Sequence, residues 1–123
     1  MHLKREIVKY VRDRAKKDYK LDSECKICST TENLELHHYY TLSLLIERWL
    51  PKKKYKPEDV LDWRDEFINE HKEQMFNNVV TLCKFHHQER LHNIFGQMPE
   101  LNTAKKQENW VNIQKEKYVS MVI

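Results

Sequence analysis

The chain's reactive side chains are concentrated in Asn77-Asn78-Val79-Val80-Thr81-Leu82-Cys83-Lys84-Phe85-His86-His87, where amide, thiol and imidazole groups flank a short apolar run. Cys83-x-x-His86 is half of a tetrahedral metal site. Its complement is Cys25-x-x-Cys28, because a two-residue turn points both sulfurs at one ion. A Cys-x-x-Cys pair alone also suits a redox motif. Joined to Cys83 and His86 it reads as a closed Cys3His set holding a structural Zn²⁺. Between the halves lies Leu34-Glu35-Leu36-His37-His38, an alternating run that ends in two imidazoles. An imidazole, with an ordinary pKa of about 6.5, can ligate a divalent ion or accept a proton near neutral pH.

The paired His37-His38, Asn78 just before an apolar run and a cysteine, and the closing His87 together resemble the HNH endonuclease family. The likeness spans residues 25 to 92, with both zinc half-sites in register. It implies a ββα-metal finger and a metal-dependent endonuclease that hydrolyses DNA phosphodiester bonds, by nicking or by cutting both strands. It also implies that His37 and His87 hold one catalytic divalent ion, Mg²⁺ or Mn²⁺ or another transition metal; His38 fits the general base, and Asn78 either holds the loop that orients it or is an ordinary turn asparagine. His92 departs from the family pattern. Members with a second helix histidine often place it four residues after the first, whereas His87 and His92 are five apart, about 140° around a regular helix. His92 therefore joins the ligands only if the helix begins irregularly. His86 stands where members more often carry cysteine. Double-stranded DNA is the implied partner, and a homodimer or a phage or host protein is a further possible one.

A chain of 123 residues with one Gly and three Pro makes a single domain, mostly helical α+β, with one hairpin and few sharp turns. Within 1–123 the reading is a basic N-terminal helix over 1–20, a metal-binding core over 25–92, a helical-hairpin insertion over about 41–76, and a C-terminal helix over 100–120. Ile7, Val8, Val11 and Ala15 form one stripe of the first helix. Its other face carries Lys4, Arg5, Lys9 and Arg12, a solvated surface or a track for DNA phosphates. The alternation at 34–39 predicts a strand with Leu34, Leu36 and His38 on the core face and Glu35, His37 and Tyr39 opposite. The two histidines can serve one site only if that strand ends or twists there. A helix is predicted from Thr41 to Leu50, capped by Thr41 or Ser43 and ended by Pro51. Lys52, Lys53 and Lys54 follow as an exposed basic linker, a second candidate for phosphate contact. Pro57 opens another helix to about Gln74 with Val60, Leu61, Phe67, Ile68 and Met75 recurring at helical spacing. Val79–Leu82 forms the second strand and His87 begins the next helix. The last helix runs from Asn102 to about Tyr118, with Ala104, Trp110, Val111, Ile113 and Tyr118 on its apolar side.

The net charge of +3 is too small to declare a nucleic-acid binder by itself, but its distribution is uneven. Residues 1–20 hold eight Lys or Arg against three acidic residues, leaving the remainder slightly acidic. Three cysteines fit metal ligation in a reducing compartment better than disulfides, and no apolar run approaches the roughly 20 residues of a membrane span. The expectation is a soluble cytoplasmic protein without a membrane partner. The competing reading is a non-catalytic zinc module that binds DNA or protein. It differs in having no use for His37, His38 and His87.

Overall fold

Val8, Val11 and Ala15 recur where one side of a helix needs them. The computed structural model, which describes residues 4–122, forms that helix as α1 over Arg5–Ala15 and buries all three. Residues 1–3 of the expected basic helix lie outside the described residues. Glu6 in the first turn and Arg12 and Arg14 in the last match the helix dipole. Arg14 pairs with Asp65 at 3.0 Å and so ties α1 to the third helix.

Two further helices complete the larger core. α2 spans Leu42–Lys53 and α3 spans Val60–Glu70, the latter entered through a 3-10 turn at Pro57–Asp59. Their buried Leu45, Ile46, Trp49, Trp63 and Phe67 pack with Val8, Val11 and Met75. Both indoles keep a partner, Trp49 Nε1–H donating to Glu70 and Trp63 Nε1–H to the Lys56 carbonyl. Truncating a ring of this size in a closed core costs about 3–5 kcal/mol.

Several boundaries differ from the sequence reading. Pro51 lies inside α2 rather than ending it, because a proline removes only its own N–H and two more residues fit before Lys54 turns left-handed at φ 61°. Thr41 occupies the cap position without capping, since its hydroxyl donates to the Pro99 carbonyl at 2.6 Å. α3 stops at Glu70, and a separate π-turn, Glu73–Asn77, carries Met75 into the core. Leu61 is 64 % exposed, and Trp63 takes the buried position instead.

Strand β1, Leu34–His38, pairs antiparallel with β2, Val79–Cys83, in a two-stranded sheet that sets His37 opposite Val80 and His38 opposite Val79. After β2 a π-helix, Phe85–Leu91, runs into α4, His92–Phe95, so His87 lies inside the helix rather than at its start. A 3-10 turn at Leu101–Thr103 then leads to α5, Ala104–Val122. A second, smaller core gathers Cys25, Ile27, Tyr39, Leu82, Leu91 and Val111. The α5 stripe is shorter than expected. Ala104 and Val111 are buried, but Ile113 and Tyr118 are exposed beyond the edge of that core.

The faces of β1 also reverse the expectation. His37 and Tyr39 are buried, while Leu34, Leu36 and His38 are half-buried. Both faces of the strand are covered: Gln107 of α5 meets the His37 side, and Tyr19 packs edge-on against His38 at 5.0 Å. Alternation alone cannot rank two covered faces. The result is a mostly helical α+β molecule with two cores. The end of β1 lies on the seam between them.

Candidate functional site

The sulfur cluster is built by three short devices. Cys25 and Cys28 lie on a tight turn closed by Ser29 N–H donating to the Cys25 carbonyl at 2.9 Å, with Ser29 itself left-handed at φ 61°. Lys26 N–H donates to the Thr81 carbonyl at 2.9 Å, which hangs that turn on the edge of β2. Cys83 ends β2, and His86 follows in the first turn of the π-helix. The four ligand atoms of Cys25, Cys28, Cys83 and His86 lie within 4.8 Å of one another, so they could hold a metal ion. Cys28 Sγ and Cys83 Sγ are 3.8 Å apart, and Cys83 Sγ is 3.3 Å from His86 Nδ1. A tetrahedral zinc with bonds of about 2.3 Å to sulfur gives sulfur–sulfur edges of about 3.8 Å, so the donor set fits. Burial pushes the Cys28 thiol up to about 11, and the neighbouring Cys25 and Cys83 sulfurs add to it. Burial also acts on Cys25, but backbone N–H groups of Cys28, Cys83 and Ile27 outweigh it and lower that thiol. Metal ligands must be thiolates, so an ion bound here would displace protons from the sulfurs.

The second cluster is made of imidazoles. His37 Nδ1 lies 3.0 Å from His87 Nε2, which lies 3.1 Å from His92 Nε2. The outer nitrogen of each ring faces an acceptor. His87 Nδ1–H donates to the Glu35 carboxylate at 2.8 Å, and His92 Nδ1–H donates to the Gly96 carbonyl at 2.7 Å. His37 Nε2–H donates to Gln107 Oε1 at 2.7 Å. Each outer bond takes the ring's one proton, so three bare lone pairs point at one another. That arrangement repels unless a cation lies among them, and these three residues could hold one. With bonds of about 2.1 Å to nitrogen, an octahedral edge is about 3.0 Å and a tetrahedral edge about 3.4 Å. The two separations of 3.0 and 3.1 Å are short enough for the three rings to share one ion. Burial, with the charges of His87, His92 and His38 added, pushes His37 down to about 3. Burial likewise lowers His87 against the pull of Glu35. Protons therefore do not compete for the His37 and His87 nitrogens at neutral pH.

His92 reaches the cluster because the helix is a π-helix. His92 N–H donates to the His87 carbonyl, a bond closed over five residues. The wider turn cancels most of the rotation that a regular helix would put between them.

His38 is next to the cluster without belonging to it. The strand ends at His38, and both His37 and His38 line one cleft of about 360 Å³ with His87, His92 and Arg12. Its Nε2 is sealed from solvent with no hydrogen-bond partner. Burial, then the charges of Arg12 and His87, push its pKa down to about 4, against an opposite pull from the Met75 carbonyl. Asn78 does not reach the cleft. Its side-chain amide and its backbone N–H both donate to the Glu73 carbonyl, at 3.1 and 2.9 Å, and lock the π-turn that carries Met75. The Asn78 carbonyl accepts from Tyr39 N–H at 3.1 Å, immediately after His38.

The basic residues divide into two groups. Arg12 and Lys16 lie on the wall of the histidine cleft, and Arg5, Arg12 and Lys9, the last paired with Asp13 at 2.6 Å, line an adjoining groove of about 730 Å³. Lys4 is exposed at the start of α1. Lys52, Lys53 and Lys54 line neither cavity, and Lys53 is already paired with Glu66 at 3.3 Å and Glu70 at 2.9 Å. Sequence reasoning missed Glu35, Gly96 and Gln107. Gln107 left a signal, a polar residue between Ala104 and Val111 on a buried helical stripe. Glu35 left a weaker one, sharing a strand face with His37.

No helix among the described residues is long and apolar enough to cross a membrane. No solved structure matches the chain at a significant level. A profile of the Nicking endonuclease family, named for phage T5, matches residues 1–122. With 122 of its residues matched, the chain belongs to the phage T5 nicking endonuclease family and is a DNA endonuclease.

Proposed function

We propose that the protein is an HNH-type, metal-dependent nicking endonuclease, in which β1, β2 and the π-helix form the ββα-metal finger. The carrying observation is the convergence of three imidazole lone pairs, from His37, His87 and His92, beside the separate and neutral His38. His37, His87 and His92 would hold a divalent ion, Mg²⁺, Mn²⁺ or another transition metal that accepts imidazole ligands. When bound, that ion supplies Lewis-acid stabilisation to a phosphate oxygen and to the departing 3′ oxygen.

The chain's own residues supply the rest. His38, uncharged at pH 7 and lining the cleft, takes the proton of the attacking water. Tyr19 packs edge-on against the ring and fixes its plane. Asn78 is a positioning residue that locks the turn carrying the Met75 carbonyl. Arg12 and Lys16 place cationic charge over the phosphate, and Arg5 and Lys9 extend that charge along the strand, with Lys4 at its margin. Cys25, Cys28, Cys83 and His86 hold a structural Zn²⁺.

The test is supercoiled plasmid incubated with the zinc-loaded protein and Mg²⁺ or Mn²⁺. Conversion to open circles, with little linear product, is expected. His38→Ala should cut about 10² to 10⁴ times more slowly while binding Mn²⁺ as the wild type does. A His38→Ala protein that nicks within threefold of wild type removes His38 from the reaction.

A further inference from the structure

Gln107 lies on α5, outside the hairpin and π-helix that carry the histidines, yet its side chain is 0 % exposed and every polar atom of it is used. Its amide nitrogen donates to the Tyr39 carbonyl at 3.1 Å and to Thr103 Oγ1 at 3.0 Å. A backbone carbonyl only accepts, so the NH2 end must face Tyr39, and Oε1 is left facing His37 Nε2 at 2.7 Å. An oxygen at that distance requires the proton of His37 to be on Nε2. Nδ1 is thereby left as a bare lone pair, 3.0 Å from His87 Nε2.

We propose that Gln107 is a positioning residue for metal binding, which sets the tautomer and ring angle of His37 through a donor chain anchored on the Tyr39 carbonyl. This rests on the ion site proposed above. The inference gives the C-terminal helix a role in the reaction: the first turns of α5 deliver an amide to the seam between the two cores. The other two rings are held by partners within the hairpin and helix that carry them, His87 by Glu35 on β1 and His92 by Gly96 four residues on. His37, the most deeply buried of the three at 3 % exposure, depends on a residue 70 positions away.

The experiment uses the full-length zinc-loaded protein. Long-range ¹⁵N–¹H spectra read the His37 tautomer before any ion is added, and Mn²⁺ titration followed by electron paramagnetic resonance reads affinity. The wild type should show His37 protonated on Nε2 and bind one Mn²⁺. Gln107→Leu should lose the fixed tautomer and bind Mn²⁺ about 10- to 100-fold more weakly. Gln107→Glu, which restores an acceptor, should recover most of that affinity. A Gln107→Leu protein with wild-type Mn²⁺ affinity overturns the role of Gln107 and leaves the ion site standing. A wild type that binds no Mn²⁺ overturns the ion site and this role with it. Should Gln107→Leu not fold, the wild-type spectrum still decides, since His37 protonated on Nδ1 refutes the proposal.

Discussion

Gly96→Ala isolates the contribution of backbone conformation to the histidine cluster. The single glycine of the chain has φ 90° and ψ 170°, a region open in practice only to glycine. Its N–H donates to the His92 carbonyl at 2.9 Å and its own carbonyl accepts from His92 Nδ1 at 2.7 Å. A Cβ there would meet nothing within 4 Å, so crowding contributes nothing and the whole effect is torsional. Holding the glycine conformation with an alanine costs about 1–3 kcal/mol. Restriction of the unfolded chain offsets about 0.4–1 kcal/mol, leaving a net loss of at most about 2.6 kcal/mol and about 1 kcal/mol at mid-range. The protein can escape that loss by rotating the Gly96 peptide, which withdraws the acceptor from His92 and releases its tautomer. The cost then appears as Mn²⁺ affinity weakened about tenfold or more. Thermal unfolding of the zinc-loaded variant, with and without Mn²⁺, reads both routes. A Gly96→Ala protein whose stability lies within 0.5 kcal/mol of wild type, and which is stabilised equally by Mn²⁺, would show that this carbonyl does not hold His92.

Other perturbations reach different parts of the molecule. Cys83→Ser, or exhaustive chelation, should leave the region around β2 without a cooperative unfolding transition, because a structural zinc site contributes its binding energy to folding; a cooperative transition in zinc-free protein would contradict this. Arg12→Ala should weaken DNA binding and reduce the slope of log K against log salt by about one contact, measured by fluorescence titration at several salt concentrations; an unchanged slope would take Arg12 off the phosphate track. His37 and His38 have folded pKa values near 3 and 4, below their ordinary 6.5, so the folded state binds fewer protons than the unfolded state as acid is added. Stability should be level above about pH 6.5 and fall by a few kcal/mol as the pH drops towards 4, seen as a falling unfolding midpoint. A midpoint that is flat from pH 7 to 4.5 would contradict the burial of these rings.

Spacing made the cysteine cluster legible, because two turns of Cys-x-x-Cys and Cys-x-x-His each bring their own ligands together whatever the rest of the chain does. The helical stripe of α1 was readable for the same local reason. The strand faces were not. Leu34, Leu36 and His38 look like a core face, yet His37 is the buried histidine, since α5 arrives over it from 70 residues away. Proline was also a weak guide, because Pro51 costs α2 one hydrogen bond rather than its ending. Gln107 is polar, so composition places it on a surface, and only the completed chain of hydrogen bonds explains its burial.

The π-helix joins the two clusters in a way that neither reveals alone. His86 and His87 are consecutive, and one belongs to the sulfur cluster while the other belongs to the histidine cluster. In a regular helix His87 and His92 would diverge by about 140°, and the five-residue closure that brings their nitrogens to 3.1 Å is intrinsically less favourable than α-helix. Something must therefore hold the wider turn open. On one side the cysteines hold His86. On the other, Glu35 holds His87 at 2.8 Å and takes both of its remaining contacts, at 2.9 and 2.8 Å, from Gln88. If zinc occupies the sulfur cluster, its loss releases His86 and lets the turn relax towards α-helix, which swings His92 away from His87. On the proposed assignment the ion of the cysteine cluster acts before that of the histidine cluster: an emptied cysteine site should abolish Mn²⁺ binding even in molecules whose three histidines are intact.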